Sequence, residues 1–331
     1  MKAKVRIYKI VLIFVLGIIT HEGWTQQLPL YTQYTMNGFL LNPAFAGSNG
    51  YTSVNLMARE QWIGLPNSPK THSISAQTRI LPNSYINNRF NIRKKKRPMS
   101  RDGRVGIGGY IFNDRTGLID RTGMQFTYAY HIRLYDDSQL SFGLSVNAYQ
   151  FKINQDKMIL QDQGDITVDG NRNAVYIPDA SFGALWMSKE FYLGFSANEL
   201  AQSSQKLFKQ NINYDYQMYR HYYLIGGYKY EYRRYFIIEP SALIKASQAG
   251  ALQADLGVTV SFDNEYWGGI SYRTGNSLSF LMGVKVENFY FGYAFDYTIS
   301  SIMRHTFGSH EFMAAVRFGE NARRYRWLNR F

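Results

Sequence analysis

Residues 252–262 read LQADLGVTVSF, and the reading of this stretch decides the fold. In an extended chain Leu252, Ala254, Leu256, Val258, Val260 and Phe262 share one face, while Gln253, Asp255, Gly257, Thr259 and Ser261 share the other. One side is bulky and apolar, the other small or polar. The same device recurs in residues 140–148, 278–286 and 289–298, where Phe289, Phe291, Tyr293, Phe295 and Tyr297 oppose Gly292, Ala294, Asp296 and Thr298. Period two means strands. A soluble sandwich and a membrane barrel both write this pattern, because a protein core and hydrocarbon look alike to an apolar side chain.

Composition narrows the choice. Aromatic residues make up 16% of the 331, and the 27 Tyr outnumber the 22 Phe, as expected where an apolar zone meets water. The mean hydropathy is nevertheless negative, −0.31. Beyond residue 20 no run reaches the ~20 apolar residues of a spanning helix. A membrane protein with this composition has to satisfy its backbone between strands, in a closed ring. There is no cysteine, which excludes disulfides and thiolate metal sites but does not separate barrel from sandwich.

Loop lengths separate them. About fourteen strands are expected, near 52–62, 71–80, 104–113, 122–134, 139–151, 177–187, 190–198, 219–230, 234–246, 251–262, 265–273, 277–286, 289–298 and 310–319. The connections 135–138, 188–189, 231–233, 263–264 and 287–288 are short and fall on one side. The long ones, 152–176, 199–218 and 299–309, fall on the other. Short periplasmic turns and long outer loops mark an outer-membrane barrel. A sandwich has no reason to sort its loops by parity. The exception is 81–103, nominally periplasmic, with Arg93, Lys94, Lys95, Lys96 and Arg97 at its centre. It reads either as a solvated insertion or as a docking site for an acidic periplasmic partner.

Residues 1–25 have the order of an export signal. Lys2, Lys4, Arg6 and Lys9 precede the apolar run 10–19, and a polar stretch leads to cleavage near Thr25/Gln26. The expected organisation is a signal peptide (1–25), an irregular segment (26–50), an outer-membrane barrel (51–319) and a basic tail (320–331). Net charge is +13, and the mature chain stays basic. Export leaves outer-membrane lipid and proteins as partners and removes nucleic acid.

No catalytic signature is present: no H-E-x-x-H, G-x-S-x-G, P-loop or dinucleotide fingerprint. The histidines His21, His72, His131, His221, His305 and His310 lack ligand spacing, and Asp162, Asp165 and Asp169 lack the order of a calcium loop. No cofactor, metal or enzymatic activity is expected. In residues 26–50, Pro29, Gly38, Pro43 and Gly47 disfavour both strand and helix, and Asn42-Pro43-Ala44 reads as a tight turn. Such a segment fits either a plug folded into the lumen or a periplasmic tail. Arg59 shares a face with Gln61 late in the first strand, where a lumenal side chain would meet a plug. Trp62 suits the aromatic girdle.

Gln27, Tyr31, Gln33, Tyr34, Asn37, Asn42-Pro43-Ala44 and Ala46-Gly47, followed by Arg59, Gln61-Trp62, Gly64, Pro66, Pro69 and Thr71, resemble the opening of the PorP/SprF family. Ser309-His310-Glu311 is similar to the family's ending. The resemblance implies a non-enzymatic barrel of about fourteen strands that serves type IX secretion and gliding motility in Bacteroidetes. It also implies, as partners, a secreted protein with a type IX sorting domain or periplasmic type IX components. The 81–103 insertion and the basic tail from Arg323 to Phe331 depart from that pattern. The competing function is a channel for small hydrophobic molecules of the FadL type, which also carries an Asn-Pro-Ala element in an N-terminal hatch.

Overall fold

A computed structural model describes residues 31–80, 104–134, 138–153, 175–202, 204–206, 215–233, 235–275 and 277–318. The strands are β1 (Thr52–Glu60), β2 (Lys70–Ile80), β3 (Val105–Thr116), β4 (Ile119–Arg133), β5 (Gln139–Ile153), β6 (Val175–Met187) and β7 (Phe191–Asn198). Then come β8 (Ser204–Lys206), β9 (Asp215–Gln217), β10 (His221–Tyr228), β11 (Tyr230–Tyr232), β12 (Phe236–Ser247) and β13 (Leu252–Phe262). The last four are β14 (Tyr266–Arg273), β15 (Ser277–Val286), β16 (Phe289–Thr298) and β17 (Ser309–Phe318).

Every neighbour in the main sheet is antiparallel, and the sheet closes where β1 meets β17, from Thr52↔Phe318 to Glu60↔His310. β8 and β9 form a separate small hairpin. β10 and β11 are one stave in one register, since Gly227 faces Ser241 and Tyr230 faces Ile238. The result is a barrel of fourteen staves, each on an expected strand. The break at Tyr228–Lys229 has a cause. Even-numbered residues on this side of β12 bond toward β10, as the Gln248 N–H does to the Arg220 carbonyl at 2.9 Å, and residue 240 is a proline with no N–H to give.

The alternation seen in sequence sorts membrane from lumen. In β13, Leu256, Val258, Val260 and Phe262 face outward and Asp255 is buried inside. In β5, Val146 is 70% exposed to the membrane side while its neighbours Ser145 and Asn147 are buried. β3 and β4 run three residues past their expected ends, to Thr116 and from Ile119, joined by a turn through Gly117 (φ 61°), while β1 stops at Glu60 short of the expected 62. The polar residues of the added segments are paired across that turn, Asp114 with Arg121 at 3.5 Å and Arg115 with Asp120 at 3.2 Å. Turn chemistry matches the short end. Asp263 and Asn264 both adopt positive φ, as a two-residue hairpin requires.

Residues 31–50 occupy the lumen. They carry two 3-10 turns, Gly38–Leu40 and Pro43–Phe45. Tyr31, Tyr34, Leu40, Leu41 and Ala44 form one buried cluster with Met57, Leu185, Met187, Tyr192, Tyr223, Ile225 and Leu243 of the wall. Irregular backbone at membrane depth is tolerated when protein surrounds it, and here the barrel does.

Candidate functional site: the lumenal plug and its clamp

The plug is fixed by a chain of alternating charges on the inner wall. Arg59 of β1 is buried, with one guanidinium nitrogen 2.5 Å from Asp296 of β16 and the other 3.0 Å from Glu311 of β17. Arg273 of β14 bonds Asp255 of β13 through its Nε at 2.8 Å and stands 3.7 Å from Asp296. The order Asp255, Arg273, Asp296, Arg59, Glu311 holds one more anion than cation. The plug answers that excess. The backbone N–H of Thr32 donates to Glu311 at 2.8 Å, and that of Gln33 donates to the other carboxylate oxygen at 2.9 Å. The Thr32 hydroxyl accepts from Arg59 at 2.8 Å and donates to Asp296 at 2.9 Å. Burying charges is costly unless each finds a partner, and this network supplies them.

A second anchor lies at Asn42. Its side-chain N–H donates to the carbonyls of Ala184 and Phe195 at 3.0 and 3.1 Å, while its side-chain oxygen caps the next 3-10 turn through the Ala44 N–H at 2.8 Å. The wall beneath is glycine. A Cβ on Gly143 would run into the backbone of Pro43 and Ala44, and one on Gly183 into the Asn42 side chain. These glycines are chosen by close approach.

The third anchor is at the short-turn end. His131 is buried, with Nε2 3.0 Å from the Ala46 carbonyl and Nδ1 2.8 Å from the Ser141 hydroxyl. A carbonyl only accepts, so Nε2 carries the proton and Nδ1 accepts from Ser141. Arg79 donates to Gln139 at 2.7 Å and to the Ser48 carbonyl at 3.4 Å.

The residues singled out in the sequence divide between two places. Tyr31, Gln33, Tyr34, Asn37, Asn42, Pro43, Ala44 and Gly47 are in the plug. Asn37 donates to Ser75 at 3.0 Å, and Gly47 (φ 67°) donates its N–H to Gln77 at 3.1 Å. Arg59 reaches the plug from the wall at Thr32, at 2.8 Å, and Thr71 bonds Asp114 at 2.6 Å. Gln61, Trp62, Gly64, Pro66 and Pro69 lie instead in the outer loop 61–69. The Gln61 N–H bonds the Pro69 carbonyl at 2.8 Å, and the Trp62 N–H bonds the Ser309 hydroxyl at 3.2 Å. Ile63 pairs with Phe307 and Gly308 of loop 299–308, and Gly64 (φ 103°) packs against the Phe307 ring. Arg93, Lys94, Lys95, Lys96 and Arg97 fall outside the described residues, as do residues 1–30, the tail from residue 319, and Asp162, Asp165 and Asp169.

Sequence reasoning passed over Asp255, Arg273 and Asp296, and the glycines under the plug. Their signal was available: a carboxylate in the middle of an alternating strand, on its small side, needs a buried cation. Among the described residues no cluster of three metal-ligating side chains occurs.

Comparison with known proteins places this architecture. The barrel is similar to the toluene transporter TbuX of Ralstonia pickettii, at 11% identity and TM-score 0.50, over 85% of this chain and 92% of that one. It is also similar to the outer-membrane protein Omp33 of Acinetobacter baumannii, at 8% identity and TM-score 0.44, over 82% and 100%. Both likenesses concern the fold. No curated protein matches the chain. The profile described as type IX secretion system membrane protein PorP/SprF matches residues 24–316, nearly the whole length. A fourteen-stave outer-membrane barrel matched by that profile over nearly its whole length, the chain belongs to the PorP/SprF family of the type IX secretion system.

Proposed function

We propose that this barrel receives and anchors a secreted protein carrying a type IX sorting domain at the outer face, without catalysing a reaction. The observation that carries this reading is the filled lumen. Among the described residues, four lumenal cavities beside the plug measure about 10–30 Å³ each, room for one or two water molecules. A barrel closed in this way offers its ends as binding surfaces. At the outer end the loops 61–69 and 299–308 hold each other and expose Phe307 and Ile299. In the same reading the basic run Arg93–Arg97 binds an acidic periplasmic component, and charge reversal there is expected to lower its recovery in pull-downs. Export by a cleaved signal, ending near Thr25, belongs to the same reading and is checked by mass spectrometry of the mature N-terminus.

Deletion of the gene is expected to remove one protein, or a small set, from the cell surface while other type IX cargo persists. An unchanged surface proteome refutes the anchoring role. The rival reading, a channel for small hydrophobic molecules, draws on the likeness to TbuX in fold. The packed lumen speaks against it. Tracer uptake that depends on this protein would reverse that preference.

A further inference from the structure

The outer surface of the barrel is not uniform. Over β15–β17 and β1–β4 the membrane-facing wall is concave, an open hollow of about 1000 Å³ bordered by side chains that include Leu56, Ile74, Ile111 and Phe312. Ala58 and Ala314 keep its floor low. The groove faces hydrocarbon, where lipid chains would fill any hollow, so its shape alone does not name an occupant.

Two further observations do. Near the short-turn end, outward aromatics ring the barrel: Tyr130, Phe142, Trp186, Tyr230, Phe236, Phe262, Tyr266, Phe289 and Phe318. Such girdles sit where a wall meets lipid headgroups. β1, β2 and β3 are the one run of three adjacent staves without such a residue among those described. Their outward positions at that end are Thr52, Val54, Thr78, Ile80, Val105 and Ile107, and the hydroxyls of Thr52 and Thr78 bond each other at 2.7 Å.

Higher on the same staves, outward side chains turn polar. His72 faces Asn113 and Asn113 faces Thr122 in adjacent strands; Asn113 donates to Asp120 at 2.7 Å and to Thr122 at 2.9 Å, which leaves its side-chain oxygen and the His72 ring as the groups open to a partner. At ~3.3 Å per residue and ~40° tilt, His72 stands about 20 Å above Ile80, inside an apolar band about 25 Å tall. A wall without girdle, hollowed, and polar within the band is poorly built for lipid. It is well built for protein.

We propose that the concave wall of β1–β3 is a lateral docking face for the membrane-spanning part of a different outer-membrane protein. That partner presents a convex apolar ridge to the groove and hydrogen-bonding groups at the level of His72 and Asn113. This inference does not rest on cargo binding at the outer end: either interaction can be lost with the other intact.

The test places the photo-reactive residue p-benzoylphenylalanine at Ile74 or Ile111 in the full chain, with Val258 and Ile270 on the opposite wall as controls. After illumination of intact outer membranes, Ile74 and Ile111 are expected to give a discrete adduct. Its cross-linked peptide should come from a membrane-spanning segment of another protein, with little or none at the controls. Filling the groove with Ala58→Trp and Ala314→Trp is expected to weaken that adduct about tenfold, equivalent to about 1.4 kcal/mol, since extra bulk in a packed contact is destabilising. Heat-modifiable migration establishes that the filled variant still forms a barrel. Equal yields on both walls, adducts to lipid alone, adducts to a second copy of this chain, or indifference to the filled groove each overturn the proposal.

Discussion

Arg59 stands directly opposite Glu311 in the register that closes the barrel, its guanidinium 3.0 Å from the carboxylate. First and last staves are therefore joined by an ion pair as well as by a ladder. Arg59→Ala leaves Asp296 and Glu311 buried with one cation fewer, a loss of about 3–5 kcal/mol for a broken buried pair. Urea unfolding in detergent micelles, followed by heat-modifiable migration, is expected to show that drop. A midpoint equal to wild type shows the pair to be dispensable.

Gly143 offers a way to disturb the plug without touching a charge. In Gly143→Val the new side chain meets the Pro43–Ala44 backbone, which has no room to yield within the lumen. The plug is expected to be displaced from a still-folded barrel, measurable as ion conductance in planar bilayers where wild type is nearly silent. Wild-type-like silence contradicts the plug's role as the seal.

Asn42→Ala removes the donor shared by the Ala184 and Phe195 carbonyls and the acceptor for the Ala44 N–H. Each buried group left unpaired costs about 1–3 kcal/mol. Limited proteolysis is expected to cut within residues 31–50 in this variant and to spare them in wild type.

On the lipid side, Val146→Arg at the middle of β5 is expected to destabilise the barrel by about 2–4 kcal/mol, the cost of a cation at mid-membrane. Equilibrium folding into lipid vesicles measures it. A change below 1 kcal/mol, on the order of an interfacial site, means that residue 146 does not face hydrocarbon.

Pro240→Ala restores an N–H facing Tyr228 and is expected to gain up to about 1 kcal/mol and to slow amide exchange around Tyr228–Tyr230. Unchanged exchange there would mean that the ladder break has another cause.

The strands were legible because membrane and lumen demand opposite side chains, and Leu252–Phe262 states that demand without exception. β3 and β4 were expected to be shorter, at 104–113 and 122–134, because the pairs that carry them on, Asp114 with Arg121 and Arg115 with Asp120, join two strands and do not show in either one alone. The clamp was harder still. Thr32 and Asp296 lie 264 positions apart, and Thr32 and Glu311 lie 279 apart, so only closure of the ring makes them neighbours. Arg59 was readable as a plug contact from its face on β1. Gly143 and Gly183 looked like ordinary small lumenal residues, since nothing in one dimension says that another backbone will rest on them.

Because Glu311 grips both Arg59 and the amides of Thr32 and Gln33, the same carboxylate serves the ring's closing seam and its stopper. Whatever loosens one of them takes a partner from the other.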